Sequence, residues 1–419
     1  MHHLQYTCKM GNREGFIHSL ESCIFDGKFS FMYDQKNELT LRQRRVQQSI
    51  AAMQADACII TSPVNQYWLS GFVFDGYLLL YPEGEALLFI RRPAGITDGR
   101  AISIRKPEQI PSLLREAGYA LPRRLLLEAD QLTFNSATRL QAAMEMPETL
   151  NISGELRRLR SVKSDWELNQ IRESAQLHRQ VYELIPSLYR RGMSDLELQI
   201  EIEREMRLHG SVGIFRSFGE NMDIFMGSML AGDNAQAASP FDYALGGGGI
   251  SPLLPLGANG TKLLPGMTLM VDMAGNYRPW MDDMSRTFAI GEVPDLAFEA
   301  HQLSIDIIRT LEQTAKAGTP CADLYLLAEE MVQEKGMQSY FMGTTQQAKF
   351  IGHGVGLEIN EPPVLTSRSK EILLTGMAIA VEPKFVLPGI GPVGIENTYI
   401  IHENRMENIT LCEEEIIVL

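Results

Sequence analysis

From Leu39 onward apolar residues recur at two different periods, and the change from one to the other marks out the elements. In LRQRRVQQSIAAMQA they return at helical spacing, which predicts a helix. DACIITS, GYLLLYPEG and EALLFIRRP are short apolar runs bounded by turn residues, and predict strands. A helix near SLLREAG, the strand RRLLLEAD and a helix in NSATRLQAAMEM complete one α/β domain ending near Gly154. Residues 1 to about 38 carry no clear periodicity. FIHSLESCIF within them is compatible with a short amphipathic turn, and the segment reads as an extension without assigned structure or function.

The second half begins with a long helical stretch whose starts are well marked. In Ser164-Asp-Trp-Glu167 the serine and glutamate can satisfy free amides reciprocally, and Ser194-Asp-Leu-Glu197 repeats the pattern. Gly192 is expected to end the first of these helices. The glycine run Gly246 to Gly249 leads into PGMTLMVDMAG, and further helices are expected around residues 297–316 and 322–335. The last third, MAIAVEPKFVL and GIENTYIIHE, reads as strands and turns. No tandem repeat is evident, but each half of this domain ends in a strand pair bearing two acidic residues. The expected organisation is therefore an extension over 1–38, an α/β domain over 39–154 and a larger domain over 155–419.

Composition narrows the function classes. With 419 residues, 45% apolar and 21% charged, the chain can bury a substantial core without disulfides or a structural metal. A formal charge of −14 argues against nucleic acid and anionic membrane surfaces as partners. Cys8, Cys23, Cys58, Cys321 and Cys412 are odd in number and widely spaced, which argues against a disulfide framework and a thiolate zinc site, and fits a reducing cytoplasm. No apolar run approaches the ~18–20 residues of a membrane span, and the first residues lack the apolar stretch of a secretory signal.

The chemistry lies in acids placed where acids are costly. Asp272 interrupts an apolar strand pattern, and Asp283 follows 283 − 272 = 11 residues on, across a Gly-Asn turn region. A hairpin would set the two carboxylates side by side, with Asp282 a competing choice for the second. Taken alone, Asp272 reads equally well as a salt-bridged or capping aspartate. Glu382 and Glu396 repeat the situation in VEPKFVLPGIGPVGIENTY, where a buried glutamate must raise its pKa, pair with a base or bind a cation. The nearby basic candidates are few, Arg286 and Lys384. His353 stands between glycines, which allow a backbone to approach a ligand closely. One imidazole with four carboxylates suits two divalent ions bridged by acids and a water, and oxygen-rich sets of this kind favour Mn²⁺, Fe²⁺ or Co²⁺ over a structural zinc. Paired ions ~3.5–4 Å apart can share a hydroxide and polarise a carbonyl. The glycine runs lack phosphate-loop spacing and read as mobile loops, some of them walling a site.

In this order and context the residues resemble the prolidase, Xaa-Pro aminopeptidase and creatinase family. VDMAG…DDMSRTFAIG is similar to its two-aspartate hairpin, FIGHGVGLEINEPP to its histidine motif, and AVEPKF and GIENTYII to its glutamate motifs. LRRLRSVKSDWELNQIRES resembles its linker and SPVNQYWLSGF its N-terminal domain, so the likeness runs over roughly residues 39–419. It implies an α+β chain: a creatinase-type N-terminal α/β domain followed by a pita-bread catalytic domain with pseudo-symmetric halves. It implies metal ligands Asp272, Asp283, His353, Glu382 and Glu396, with Glu382 also handling the proton of a bridging water. It implies cleavage of an amide in short proline-containing peptides by a homodimer carrying two divalent ions, Mn²⁺ first, with Co²⁺, Fe²⁺ or Zn²⁺ as alternatives.

The chain departs from the pattern at three places. Asn360 stands where the family usually has a histidine, GGGGISPLLPLGANGTKLLPG lacks the histidine expected before the first strand, and Gly394 replaces a frequent arginine. Such histidines hydrogen-bond the substrate or the tetrahedral intermediate, and losing one donor of that kind typically costs ~10²–10³ in rate. Asn360 can donate through its amide but cannot shuttle a proton, and it is the second catalytic candidate beside Glu382. The alternatives are the same scaffold turned to non-peptide C–N hydrolysis or a lyase step, and a non-catalytic binding module.

Overall fold

The structure is a computed structural model that describes residues 28–219, 226–241 and 243–419, with backbone only for 28–35. The FIHSLESCIF turn expected in the extension lies outside the described residues. The chain divides into two compact units, Met1–Ser153 and Gly154–Leu419.

In the first unit a helix begins at Lys28, earlier than the apolar periodicity suggests, and runs to Ala52 (α1). KFSFMYDQKN shows no helical apolar stripe, because its aromatics cluster. No Gly or Pro interrupts 28–52, however, so nothing stops the helix from extending upstream. The sheet is six-stranded in the order β4-β3-β2-β1-β5-β6, from β1 Ala57–Ile60, β2 Asp75–Leu80, β3 Leu87–Arg92, β4 Ala101–Ser103, β5 Arg124–Leu127 and β6 Glu148–Asn151. β1 pairs antiparallel with β2 and parallel with β5. Helices α2 Pro63–Ser70, α3 Ile110–Glu116 and α4 Phe134–Ala143 intervene. Ile59, Leu79, Phe89, Leu114, Leu125 and Leu140 fill the core on one face.

The second unit opens with α5 Ser153–Ser161 and α6 Asp165–Tyr182. Both serine–glutamate capping boxes form, at Ser164 for α6 and at Ser194 for α8 Asp195–Leu208. Gly192 does not end α6, which stops at Tyr182. A short helix, α7 Ile185–Leu188, intervenes, with Pro186 in its first turn. A proline there lacks the N–H that α6 would need to continue and clashes with the preceding turn.

Two helix-covered sheets then form the halves of the unit. β7 Gly227–Ala231, β8 Thr268–Gly275, β9 Asp282–Ala289 and β17 Ile417–Val418 make a sheet ordered β17-β9-β8-β7. Val181, Tyr182, Leu198, Ile202 and Met206 of α6 and α8 pack on its Val271, Met273 and Phe288. β10 Gly352–Gly354, β11 Glu361–Val364, β12 Ala378–Val381, β15 Asn397–Ile401 and β16 Met406–Asn408 make the other, ordered β11-β10-β12-β15-β16. α9 Asp295–Thr314 and α10 Cys321–Glu334 cover it through Ile307, Leu311, Leu324 and Ala328 against Ile379, Val381 and Tyr399. β13 Lys384–Leu387 and β14 Gly391–Gly394 form a separate two-stranded ladder. Among the described residues no helix is long and apolar enough to cross a membrane.

Candidate metal centre

Three aspartates sit on one hairpin, and strand phase decides which two of them face the site. In the β8–β9 ladder Asp272 lies opposite Ser285, Ala274 opposite Asp283 and Gly275 opposite Asp282. Side chains alternate along a strand, so Asp283 shares a face with Ser285 and lies diagonally across from Asp272, while Asp282 points the other way. There Asp282 Oδ2 meets His178 Nδ1 at 2.8 Å, both side chains fully buried.

The two glutamates mark a break in a second hairpin. β12 pairs with β15, with Val381 opposite Asn397, and β13 pairs with β14, with Lys384 opposite Gly394. Between these ladders lie Glu382-Pro383 on one side and Ile395-Glu396 on the other. Proline has no amide hydrogen to give a ladder, so pairing stops at Pro383. Glu396 forms a bridge to Ser285 instead, which ties this break to the aspartate hairpin. His353 comes from β10, held between β11 and β12. Its glycine neighbours serve strand packing: a Cβ on Gly352 would stand 2.3 Å from the Ala380 carbonyl oxygen, and one on Gly354 2.1 Å from that of Pro362.

All five predicted ligands converge. Ligand atoms of Asp283, His353 and Glu396 lie within 4.8 Å of one another, and so do those of Asp272, Glu382 and Glu396. His353 Nδ1 lies 3.1 Å from the Gly354 carbonyl, to which it donates. Its Nε2 faces Glu382 Oε1 at 3.5 Å and Asp283 Oδ2 at 3.9 Å. An imidazole nitrogen and carboxylate oxygens this close together can share one cation. Glu396 Oε1 is buried with no hydrogen-bond partner, while Oε2 accepts from Ser285 Oγ at 2.7 Å. The Asp283–His353–Glu396 group therefore fits a divalent cation.

The other group is already bonded. Lys384, wholly buried, donates from Nζ to Asp272 Oδ2 at 2.8 Å, Glu382 Oε2 at 2.6 Å and Glu396 Oε2 at 2.9 Å. Burial opposes its charge, but Asp272, Glu382 and Glu396 outweigh that and hold the ammonium pKa well above its ordinary value. Burial raises the carboxyl pKa of Asp283, helped by Glu396, Asp272 and Glu382. Burial likewise raises Asp272 and Glu382, with Lys384 working against it in both. Lys384 appears in the sequence only as a possible base near the glutamates. Its spacing of two from Glu382 on a strand was the available signal. The other basic candidate, Arg286, is occupied elsewhere: its guanidinium donates to the carbonyls of Ser285, Glu396, Thr410 and Glu413 and to Asn397 Oδ1.

Above the acids lies a cavity of about 200 Å³ lined by Phe215, Tyr243, Leu245, Phe350, Ile359 and Asn360, among others. Its size, below the ~300–1,000 Å³ usual for ligand sites, suits a small substrate. Leu245, which precedes the glycine run, is part of the wall, and the run itself is hydrogen-bonded: Gly248 N–H donates to Asn234 Oδ1 at 2.9 Å and Gly257 N–H to the Gly246 carbonyl at 2.8 Å. Asn360 lines the cavity but its carboxamide is engaged with backbone. Nδ2 donates to the Phe218 carbonyl and Oδ1 accepts from the Phe218 N–H, both at 2.7 Å. One amide hydrogen remains for another acceptor. The Arg157 guanidinium stacks 3.8 Å from the Phe218 ring centre and donates to the Asn360 carbonyl, which fixes the same wall.

A fold of two helix-covered half-sheets with acids from both halves meeting at one cavity defines a metallopeptidase architecture. Residues 169–403 match metallopeptidase family M24 and residues 42–162 match the creatinase/prolidase N-terminal domain. The chain belongs to family M24, in its prolidase/creatinase branch, and is a hydrolase. An uncharacterised peptidase of Staphylococcus aureus (strain USA300) is 25% identical over 373 residues, spanning 86% of this chain and 96% of its own. A solved Xaa-Pro dipeptidase from Bacillus anthracis is 26% identical with a TM-score of 0.75, covering 91% of this chain and 100% of its own. A prolidase from Pyrococcus horikoshii OT3, at 20% identity and a TM-score of 0.72, shares the fold over 90% of this chain and 99% of its own.

Proposed function

We propose that the M24 unit hydrolyses an amide bond in short peptides, with Xaa-Pro peptides as the preferred class and a divalent cation held by Asp283, His353 and Glu396. One observation carries the reading: ligand atoms of Asp283, His353 and Glu396, whose Oε1 is buried without a partner, gather at the acids lining a small cavity. A cation there would lower the pKa of a water and polarise the scissile carbonyl. Glu382 is the general base of this reading. Lys384 engages its Oε2, and its Oε1 stands on the His353 side, free of the ammonium and open to a water proton. The rings of Phe215, Tyr243 and Phe350 offer an apolar wall for a proline ring. The likeness to the Bacillus anthracis Xaa-Pro dipeptidase supports the same substrate class. Mn²⁺ is the expected ion, since carboxylates dominate the ligand set, and the assembly proposed is a homodimer.

The experiment is a screen of Mn²⁺-loaded protein against Xaa-Pro dipeptides, longer Xaa-Pro peptides and small amides. Turnover of Xaa-Pro peptides above the other classes is expected. No turnover of any member by metal-loaded protein sinks the reading.

A second reading, C–N hydrolysis outside peptides or a lyase step, is favoured by Asn360. Its carboxamide is committed to Phe218 at the position where the family resemblance leads one to expect a proton-shuttling imidazole. Cleavage confined to the small-amide arm of the screen would select it.

A further inference from the structure

We propose that the Lys384 ammonium is a built-in cation standing in the place of one of two metal ions, so that this centre holds a single divalent ion, in the Asp283–His353–Glu396 group. The inference rests on the hydrolase reading above and changes its metal stoichiometry.

Four observations carry it. The first is saturation. An ammonium has three N–H donors, and those of Lys384 reach one oxygen each of Asp272, Glu382 and Glu396, the three residues of the second ligand group. An ion bonded at ~2.0–2.2 Å to the same oxygens would compete for them and would be repelled by the charge beside it.

The second is confinement. Lys384 has no exposed surface, and its backbone is fixed by the β13–β14 ladder and by a Met342 N–H bond to its carbonyl. The next residue on its face, Val386, is packed among Leu230, Ala235, Leu245 and Met270. An ammonium displaced from the three acids would give up all three charge-assisted bonds, which is costly for a buried charge.

The third is charge. Four carboxylates and one ammonium sum to −4 + 1 = −3. The ammonium thus already supplies part of the positive charge that four clustered acids call for. The fourth is asymmetry. All three residues of the second group bond Lys384, whereas in the first group only Glu396 does, and its Oε1 is buried without a partner. Lys384 is then a positioning residue. It fixes the charge and angle of Glu382 and Glu396, but it has no spare donor for a substrate oxygen and no place for a water.

The test is metal stoichiometry on the full chain. Wild type and Lys384→Gly are loaded with excess Mn²⁺, desalted and assayed by elemental analysis, with circular dichroism to confirm folding. About one ion per chain is expected for wild type and about two for Lys384→Gly. Electron paramagnetic resonance of the wild type gives a second measurement that needs no variant: the signal of isolated Mn²⁺ is expected, and an exchange-coupled pair overturns the proposal. So do two ions per wild-type chain, or a folded Lys384→Gly that gains none. If the variant fails to fold, the wild-type spectrum decides. A wild type that holds one ion but cleaves nothing defeats the hydrolase reading and leaves this one standing. Cleavage by a two-ion wild type does the reverse, and a wild type that binds no ion defeats both.

Discussion

Glu361→Gln tests how firmly the histidine strand is anchored. Glu361 opens β11 opposite Gly354, the residue after His353, and is 1% exposed. Its Oε2 accepts from Lys163 Nζ at 3.0 Å and its Oε1 from Arg160 Nε at 3.1 Å, while Arg160 also bonds Glu358. Glutamine keeps the volume and removes the charge. Arg160 retains Glu358, so the stranded group is the Lys163 ammonium. Removing one partner of a buried pair costs ~3–5 kcal/mol. The unit spans 419 − 153 = 266 residues. At ~2.1 cal/mol/K per residue its unfolding entropy is roughly 0.6 kcal/mol/K, so a loss of ~4 kcal/mol lowers its Tm by about 7 °C. Differential scanning calorimetry at neutral pH reads this directly. The double variant Lys163→Met with Glu361→Leu strands no charge and should recover more than half of the loss. A drop below ~2 °C for the single variant, or a double variant no better than the single, refutes the reasoning. The pH dependence has a definite sign. Burial disfavours the ionised Glu361, but Lys163 and Arg160 outweigh it and hold the carboxyl below its ordinary 4.5. Its contribution is therefore present above about pH 4.5 and lost as pH falls through the lower folded value, and Glu361→Gln should flatten that part of the acid limb.

Three further outcomes follow from the same geometry. His301, buried with Nε2 on the Glu414 carbonyl and Nδ1 accepting from Gly394 N–H, has its pKa pushed down from 6.5 to about 4 by burial first, with Arg286 adding to it. The unfolded chain takes up that proton first, so stability should fall from about pH 6.5 to 4, by at most ~3 kcal/mol; His301→Gln, which keeps a donor and an acceptor, should reduce the slope in pH-dependent melts. Asp283→Ala should lose the ion of the Asp283–His353–Glu396 group by elemental analysis and at least ~10²-fold of turnover, and unchanged metal content would remove Asp283 from the ligand set. Asn360→His should raise Xaa-Pro turnover if a proton-shuttling imidazole is what the wall lacks, while releasing the Phe218 backbone; unchanged kcat with raised KM would leave Asn360 a purely positioning role.

Local rules make much of the chain legible from its residues alone. The capping boxes at Ser164 and Ser194 are chemistry within four residues, so they form as read. The four acids and the histidine stand out because a carboxylate inside an apolar strand must have a partner, whatever the fold. What the sequence by itself determined is therefore the α+β alternation, the family likeness and the side chains that must meet. Tertiary structure decided how they meet. The phase of β9 turns Asp283 to the cluster and Asp282 to His178, a choice of one residue that adjacent aspartates cannot reveal. Asn360 is engaged by Phe218, 142 residues away, and Arg286 by carbonyls as far as Glu413. Lys384 is the sharpest case. In sequence it is one basic residue near two glutamates, but bonds to Asp272 and Glu396 require both hairpins to be folded against each other. Burial then leaves the ammonium no water to turn to, so the fold makes it a partner of the acids.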